Sequence, residues 1–271
     1  MLGLCEKKLN PSVVRKNILK LAKYGSAGHI GPSFSLVEIL VTLYNKFIKL
    51  DWENKNNNQR DILALSKGHG VMALYGIFKE FDWITESDMK NYFSPSNTLK
   101  GLSSSQVDRI EVSGGSLGHG LPVSVGIAFS QKKLNYRSKT YCIVGDGELN
   151  EGSNWEALMF AAHQKLDNLV VIVDHNKFQA MGTTADVLFL GDLKQKFISF
   201  GIETRECDGH NMISIEDSLL KAENFSGKPC ALIANTIKGK GVSFMENENA
   251  WHYSRLTEEQ YIQAFKELEN A

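Results

Sequence analysis

The residues with the clearest chemical potential stand at the end of one apolar run. Positions 143–152 read IVGDGELNEG, so Asp146 sits between two glycines, with Glu148 and Glu151 close behind. Glycine permits positive φ and lets another molecule approach the backbone. Taken alone, such a stretch is better explained by a tight turn with a helix-capping acid. A second strand end alters that balance. The apolar run Leu169 to Val173 continues into Asp174-His175-Asn176-Lys177-Phe178, which puts Asn176 thirty residues after Asp146. Between them, Glu151-Gly152-Ser153-Asn154-Trp155-Glu156-Ala157 reads as a glycine-bearing loop opening a helix. If two adjacent parallel strands are joined by that helix, the Asp146 carboxylate meets the Asn176 amide oxygen. Both are hard oxygen donors suited to Mg²⁺ or Ca²⁺. With one backbone carbonyl they leave half of an octahedral shell open, which suits a diphosphate and water. The flanking glycines would let phosphate oxygens reach backbone N–H groups near a helix N-terminus.

The elements that must position these groups alternate along the chain. Strand-length apolar runs occupy Ile62 to Leu65, Tyr141 to Val144, Leu169 to Val173, Ile202 to Cys207 and Cys230 to Ala234. Amphipathic helices are expected at 10–24, opened by Asn10-Pro11-Ser12, and at 35–47, 121–133, 154–165, 193–200, 213–222 and 257–268. The polar, asparagine-rich stretch 51–59 reads as a surface loop. Continuously apolar strands alternating with helices indicate an α/β fold, a parallel sheet with helices on both faces. Ligands of such folds sit beyond the carboxyl ends of the strands, where Asp146 lies. With neither a repeat nor a low-complexity linker, residues 1–271 read as one domain, with a helical N-terminal elaboration over about 1–60 and a C-terminal tail over about 240–271.

Bulk properties narrow the class. The chain is 42% hydrophobic and 23% charged over 271 residues, and its net charge of -1 gives no field favouring nucleic acid or an anionic membrane. No apolar stretch approaches the ~20 residues of a bilayer span, and MLGLCEKKLN carries no signal-peptide core. Cys5, Cys142, Cys207 and Cys230 form no CxxC pair. These features predict a reduced, cytoplasmic protein.

Five stretches together carry a likeness. They are Ala27-Gly28-His29-Ile30-Gly31, Leu65-Ser66-Lys67-Gly68-His69, Gly115-Ser116-Leu117-Gly118-His119-Gly120, the Asp146–Asn176 unit, and Asp208-Gly209-His210. Along its whole length the sequence resembles the N-terminal, cofactor-binding half of transketolase, and the GDG–helix–Asn pattern resembles the thiamine diphosphate and metal motif. The resemblance implies thiamine diphosphate with Mg²⁺ (Ca²⁺ or Mn²⁺ as alternatives), the metal held by Asp146, Asn176 and the Phe178 carbonyl. It implies cofactor contacts from Gly145, Gly147, Glu148 and His69, with Gly115, Ser116 and Leu117 meeting the aminopyrimidine. His29 would lie near the thiazolium and the sugar, and Glu151 would be a buried glutamate linking cofactor sites across a subunit interface. His252, after Lys238-Gly239-Lys240-Gly241, would stand on the diphosphate side. His29, His69 and Glu151 are the implied catalytic set. His119 and His210 read as structural.

Two departures from the family pattern stand out. Where relatives carry Gly-His-Pro before the glycine loop, this chain has Lys100-Gly101-Leu102-Ser103-Ser104, so leucine replaces a donor-binding histidine. Leucine can neither hydrogen-bond nor transfer a proton, which predicts non-standard sugar specificity. The chain also ends after the helix 257–268, where full-length transketolases continue into domains that supply the glutamate activating the aminopyrimidine. The resemblance therefore implies an N-terminal subunit that moves a two-carbon ketol unit from a ketose to an aldose only with a C-terminal, pyrimidine-binding partner, two chains of each kind together. The alternatives are the α subunit of a 2-oxoacid dehydrogenase and a non-catalytic cofactor-binding subunit.

Overall fold

Strands buried on both faces organise the centre of the molecule. The computed structural model describes residues 2–4, 7–26, 28–54 and 56–269, so Cys5 and Ala27 lie outside the described residues. A short antiparallel ribbon joins β1 (Leu2–Gly3) to β2 (Leu50–Asp51). The main sheet comprises β3 (Ile62–Leu65), β4 (Thr140–Gly145), β5 (Leu169–His175), β6 (Glu203–Asp208) and β7 (Cys230–Asn235). All neighbours are parallel, in the order β3-β4-β5-β7-β6. Alternate residues point to opposite faces of a strand, and both faces here are apolar. Tyr141, Ile143, Val170, Ile172 and Leu232 pack into one hydrophobic cluster, while Cys142, Val144, Val171, Val173 and Ile233 pack into another.

The first face is covered by α1 (Pro11–Tyr24), α2 (Ile30–Phe34), α3 (Val37–Lys46), α4 (Val71–Glu80) and α10 (Met212–Glu223); α5 (Glu86–Lys90) and α11 (Glu258–Glu269) pack against α1. The second is covered by α6 (Gly120–Lys133), α7 (Gly152–His163) and α9 (Leu193–Ser199), while α8 (Thr184–Leu188) buries no residue. Sheet and helices on both faces match the fold class expected from the alternation. Among the described residues no helix is long and apolar enough to cross a membrane.

The elements differ from expectation in instructive places. Asn10 caps α1, its side chain accepting from Ser12 N and Val13 N, as the Asn-Pro-Ser opening suggested. The helix expected at 35–47 begins later, at Val37, and is preceded by the separate short α2 that carries Pro32. The polar 51–59 stretch is turns after Asp51, whose backbone pairs with β1. The helix α4 has no counterpart in the amphipathic pattern, because every residue from Val71 to Phe78 is buried and no polar face marks it. Its Gly76 lets α1 come close: a Cβ there would stand 3.0 Å from the Val14 carbonyl oxygen.

Candidate active site

The two strands bearing the acid and the amide are neighbours, and their registers bring the ends together. Gly145 lies opposite Asp174 in the β4–β5 ladder, so Asp146 and Asn176 leave the sheet side by side. The Asp146 carboxylate accepts from Gly147 N at 2.8 Å and, across the gap, from Lys177 N at 2.6 Å. Asn176 Oδ1 accepts from Phe178 N at 3.0 Å, while Asn176 Nδ2 donates to Asp174 Oδ2 at 3.0 Å. Each oxygen keeps a lone pair for a cation. The Phe178 carbonyl receives no hydrogen bond among the described residues. Burial and the neighbouring Asp174 carboxylate push the Asp146 carboxyl up to about 7, against the pull of the Lys177 and Gly147 N–H groups. A cation beside it supplies the missing counter-charge. No group of three His, Cys, Asp or Glu placed to hold a metal ion occurs among the described residues, so a metal here would rest on one carboxylate, one amide, one carbonyl and ligand oxygens, the hard donor set of Mg²⁺.

A cavity of about 410 Å³ opens beside this pair. His29, His69 and His252 meet on its wall with ring centroids 5.3–5.5 Å apart. Burial and the cations Lys67 and Lys238 hold all three rings neutral: His29 is lowered to about 4, His252 to about 3, and His69 also lies well below the usual range. Lys238 Nζ is itself buried and bonds Asn249 Oδ1 at 2.8 Å, His252 Nδ1 at 3.0 Å and the Gln179 carbonyl at 3.3 Å. None of those partners carries a charge; burial and Lys67 lower the proton affinity of Lys238 to about 7 against the pull of the Asp146 and Asp174 carboxylates, so an anion entering the cavity would favour the ammonium form. Three buried polar atoms of residues lining the same space, His29 Nδ1, Asn150 Oδ1 and Gln179 Nε2, have no hydrogen-bond partner among the described residues. Orphaned buried donors and acceptors are costly. A metal-bound diphosphate with a polar heterocycle supplies the acceptors, donors and negative charge that these groups lack.

Most of the expected residues come together here. His29, His69, Gly115, Leu117, Gly145, Asp146, Gly147, Glu148, Glu151, Asn176, Phe178 and His252 all line the cavity. Gly147 owes its identity to a close approach, since a Cβ would come within 2.7 Å of Gln179 Cγ. Gly115 has φ +129°, a region L-residues rarely enter, and a Cβ would stand 2.8 Å from Leu102 Cδ1. Leu102 itself is 42% exposed and forms part of the wall.

Three residues stand otherwise than expected. Ser116 is exposed and away from the cavity lining. Glu148 reaches the cavity, but its carboxylate is committed internally, accepting from Ser66 Oγ, Gly118 N at 3.0 Å and Gly145 N at 3.1 Å; it braces the two glycine loops. Glu151, expected buried, is exposed in the single chain and makes no side-chain cap to α7. His210 is structural, as expected: Nδ1 lies 2.9 Å from Glu38 Oε2 and Nε2 accepts from Ile237 N at 2.7 Å. His119 is exposed. Lys67, Lys238, Asp174, Asn150 and Gln179 join the site without having been expected there. Lys67 and Lys238 sit in glycine-bearing stretches, but nothing local in the sequence marks either lysine as buried.

This arrangement defines a class: α/β proteins with a ligand site at the carboxyl ends of neighbouring parallel strands. Comparison with known proteins refines it. A family model described as transketolase, thiamine diphosphate binding domain, matches residues 12–269. An apulose-4-phosphate transketolase subunit of Actinobacillus succinogenes is 40% identical over 266 residues, 98% of this chain and 96% of the relative. The 6-deoxy-6-sulfo-D-fructose transketolase subunit of a Clostridium species is 38% identical, covering 95% of this chain and 94% of its own. The solved transketolase of Campylobacter jejuni superposes with a TM-score of 0.87 at 28% identity, covering 97% of this chain but only 43% of the longer one. The chain belongs to the transketolase family and corresponds to its N-terminal, thiamine diphosphate-binding part. It spans about two fifths of such full-length chains.

Proposed function

We propose that this chain is the diphosphate- and metal-binding subunit of a two-chain transketolase, transferring a two-carbon ketol unit from a ketose donor to an aldose acceptor. The observation that carries this is the convergence, at adjacent strand ends, of Asp146 and Asn176 oxygens with the buried Lys238 amine and three neutral histidines around one cavity. Asp146, Asn176 and the Phe178 carbonyl would hold Mg²⁺, while Lys238 and the backbone at Gly147 would take the diphosphate. When bound, thiamine diphosphate supplies the electron sink for breaking and making the C–C bond. His29 and His69, kept neutral by burial, can donate and accept hydrogen bonds around the sugar without adding charge. The match over residues 12–269 supports reading the chain as one such unit throughout.

The second half of the site is assigned to a partner carrying the pyrimidine-binding half, two chains of each kind forming the complex. Two observations support this: relatives of the same length are named as subunits, and Glu151 stands exposed on the cavity wall, where a second chain would cover it. The donor is assigned to ketoses outside common pentose metabolism. Leu102 presents an apolar surface to the cavity, and the relatives are named for apulose 4-phosphate and a sulfofructose. Buried free thiols at Cys142, Cys207 and Cys230 agree with a reducing cytoplasm. Calorimetry of thiamine diphosphate binding with and without Mg²⁺, on wild type and Asp146→Ala assembled with the partner, tests the site. Unchanged affinity in a folded Asp146→Ala complex refutes it.

A further inference from the structure

Asp174 is fully buried at the carboxyl end of β5, two residues before Asn176. Four side chains converge on its two oxygens. The Thr236 hydroxyl donates to Oδ1, and the Lys67 ammonium donates to Oδ2. Oδ2 also accepts from Ser35 Oγ at 2.7 Å and from Asn176 Nδ2 at 3.0 Å. These donors come from separate parts of the chain: the turn between α2 and α3, the turn after β3, the end of β7, and the loop after β5 itself. Only an ionised carboxylate can accept from all four at once. Burial alone would raise its proton affinity, but Lys67, Thr236 and Ser35 hold the carboxyl below its usual range.

The consequence falls on Asn176. Its Nδ2 is fixed by the Asp174 carboxylate and its Oδ1 by the Phe178 N–H, one constraint at each end of the same amide. A flipped amide would oppose oxygen to carboxylate and NH₂ to N–H. The amide is therefore locked with its oxygen towards the Phe178 N–H, one lone pair still free, in the cavity wall that Asp146 shares. We propose that Asp174 is the positioning residue that aims the Asn176 oxygen at the metal, and that Lys67 is the counter-ion allowing a buried carboxylate to do so. The inference rests on the reading of Asp146 and Asn176 as metal ligands. A buried ion pair is weak evidence for stability as such, because a well-packed apolar pair would often serve the fold as well. A polar group that orients a metal ligand has a separate reason to be there.

Asp174→Ala removes both acceptors at once, so the Asn176 amide loses the partner at its NH₂ end and only the Phe178 N–H still orders it. In the chain assembled with its partner, calorimetric titration with Mg²⁺ and thiamine diphosphate, without any sugar, should show affinity lowered by about 10- to 100-fold, the range for loss of an outer-shell partner. Adding Asn176→Asp should recover most of that loss, because a carboxylate presents oxygen on both sides and the pair of substitutions conserves charge. A merely structural carboxylate gives no such rescue. Should Asp174→Ala alone not fold, Lys67→Met with Asp174→Ala removes the unpaired ammonium and carries the same comparison. Wild-type affinity in folded Asp174→Ala, or no recovery on adding Asn176→Asp, overturns the proposal. Absence of Mg²⁺-dependent binding in wild type overturns the metal reading itself, and the positioning role with it.

Discussion

Replacing Leu102 with histidine tests whether this wall of the cavity selects the donor. The side chain is half-exposed on the cavity wall and belongs to neither hydrophobic cluster, so the stability change should stay within about 0.5 kcal/mol. Residue 102 shares the cavity wall with His29, a ring already assigned to the sugar. An imidazole there gains one hydrogen bond to a donor hydroxyl, worth about 0.5–1.5 kcal/mol. In rate terms this corresponds to roughly a 2- to 13-fold change in relative kcat/KM between a ketose bearing that hydroxyl and one lacking it. The metal pair and Lys238 lie on other elements, so affinity for thiamine diphosphate should not move. The assay is kcat/KM over a panel of ketoses that differ at single hydroxyls, wild type against Leu102→His, each with the partner chain. Identical donor ratios in both proteins would show that residue 102 does not face the substrate, and the argument for unusual donors would lose its structural basis.

The other expectations are briefer. Asp146→Ala should abolish Mg²⁺-dependent cofactor binding, since it removes the only charged protein ligand facing a dication; calorimetry checks this. The purified chain should form homodimers at most and show no ketose cleavage, and the partner should bring two chains of each kind together with activity; mass photometry and a cleavage assay read both, and full turnover by this chain alone refutes the two-chain reading. Burial opposes ionisation of Glu38, yet its hydrogen bonds with His210 and Arg15 hold the carboxyl down at about 2. Because the folded value is depressed, this stability is present above the unfolded value near 4.5 and is lost as pH falls from there towards 2. It amounts to roughly 3 kcal/mol. Thermal melts across that window should therefore fall more steeply for wild type than for Glu38→Gln, and parallel curves would sink the assignment. The same triad bears on the site, since His210 in turn holds Ile237 N, the residue before Lys238.

What could be read from the sequence divides along a physical line. The strands β4, β5 and β7 announce themselves because both of their faces are buried, so apolar side chains run without interruption. Amphipathic helices such as α1 and α10 announce themselves by a one-sided stripe, whereas α4, apolar all round, offers no period to detect. Within the site, Asp146 and Asn176 were legible because strand ends and flanking glycines are local features. Gly115 and Gly147 were legible for the same reason: close approach of backbone to another group leaves its mark as a missing side chain. Lys67, Lys238 and Asp174 left no such mark. A lysine reads as solvated until the fold shows it 1% exposed and ringed by histidines and carboxylates, and that environment is assembled from segments up to 171 residues apart, the separation of Lys67 and Lys238. Glu151 marks the opposite limit. Its expected burial came from the family's interface, and the single chain leaves it exposed, because burial at an interface is set by two surfaces. The cationic half of the site therefore belongs to the tertiary fold, and the covering of Glu151 belongs to the assembly. Substitutions at Lys238 should consequently act on cofactor affinity in every state of the protein, and substitutions at Glu151 only after the partner has bound.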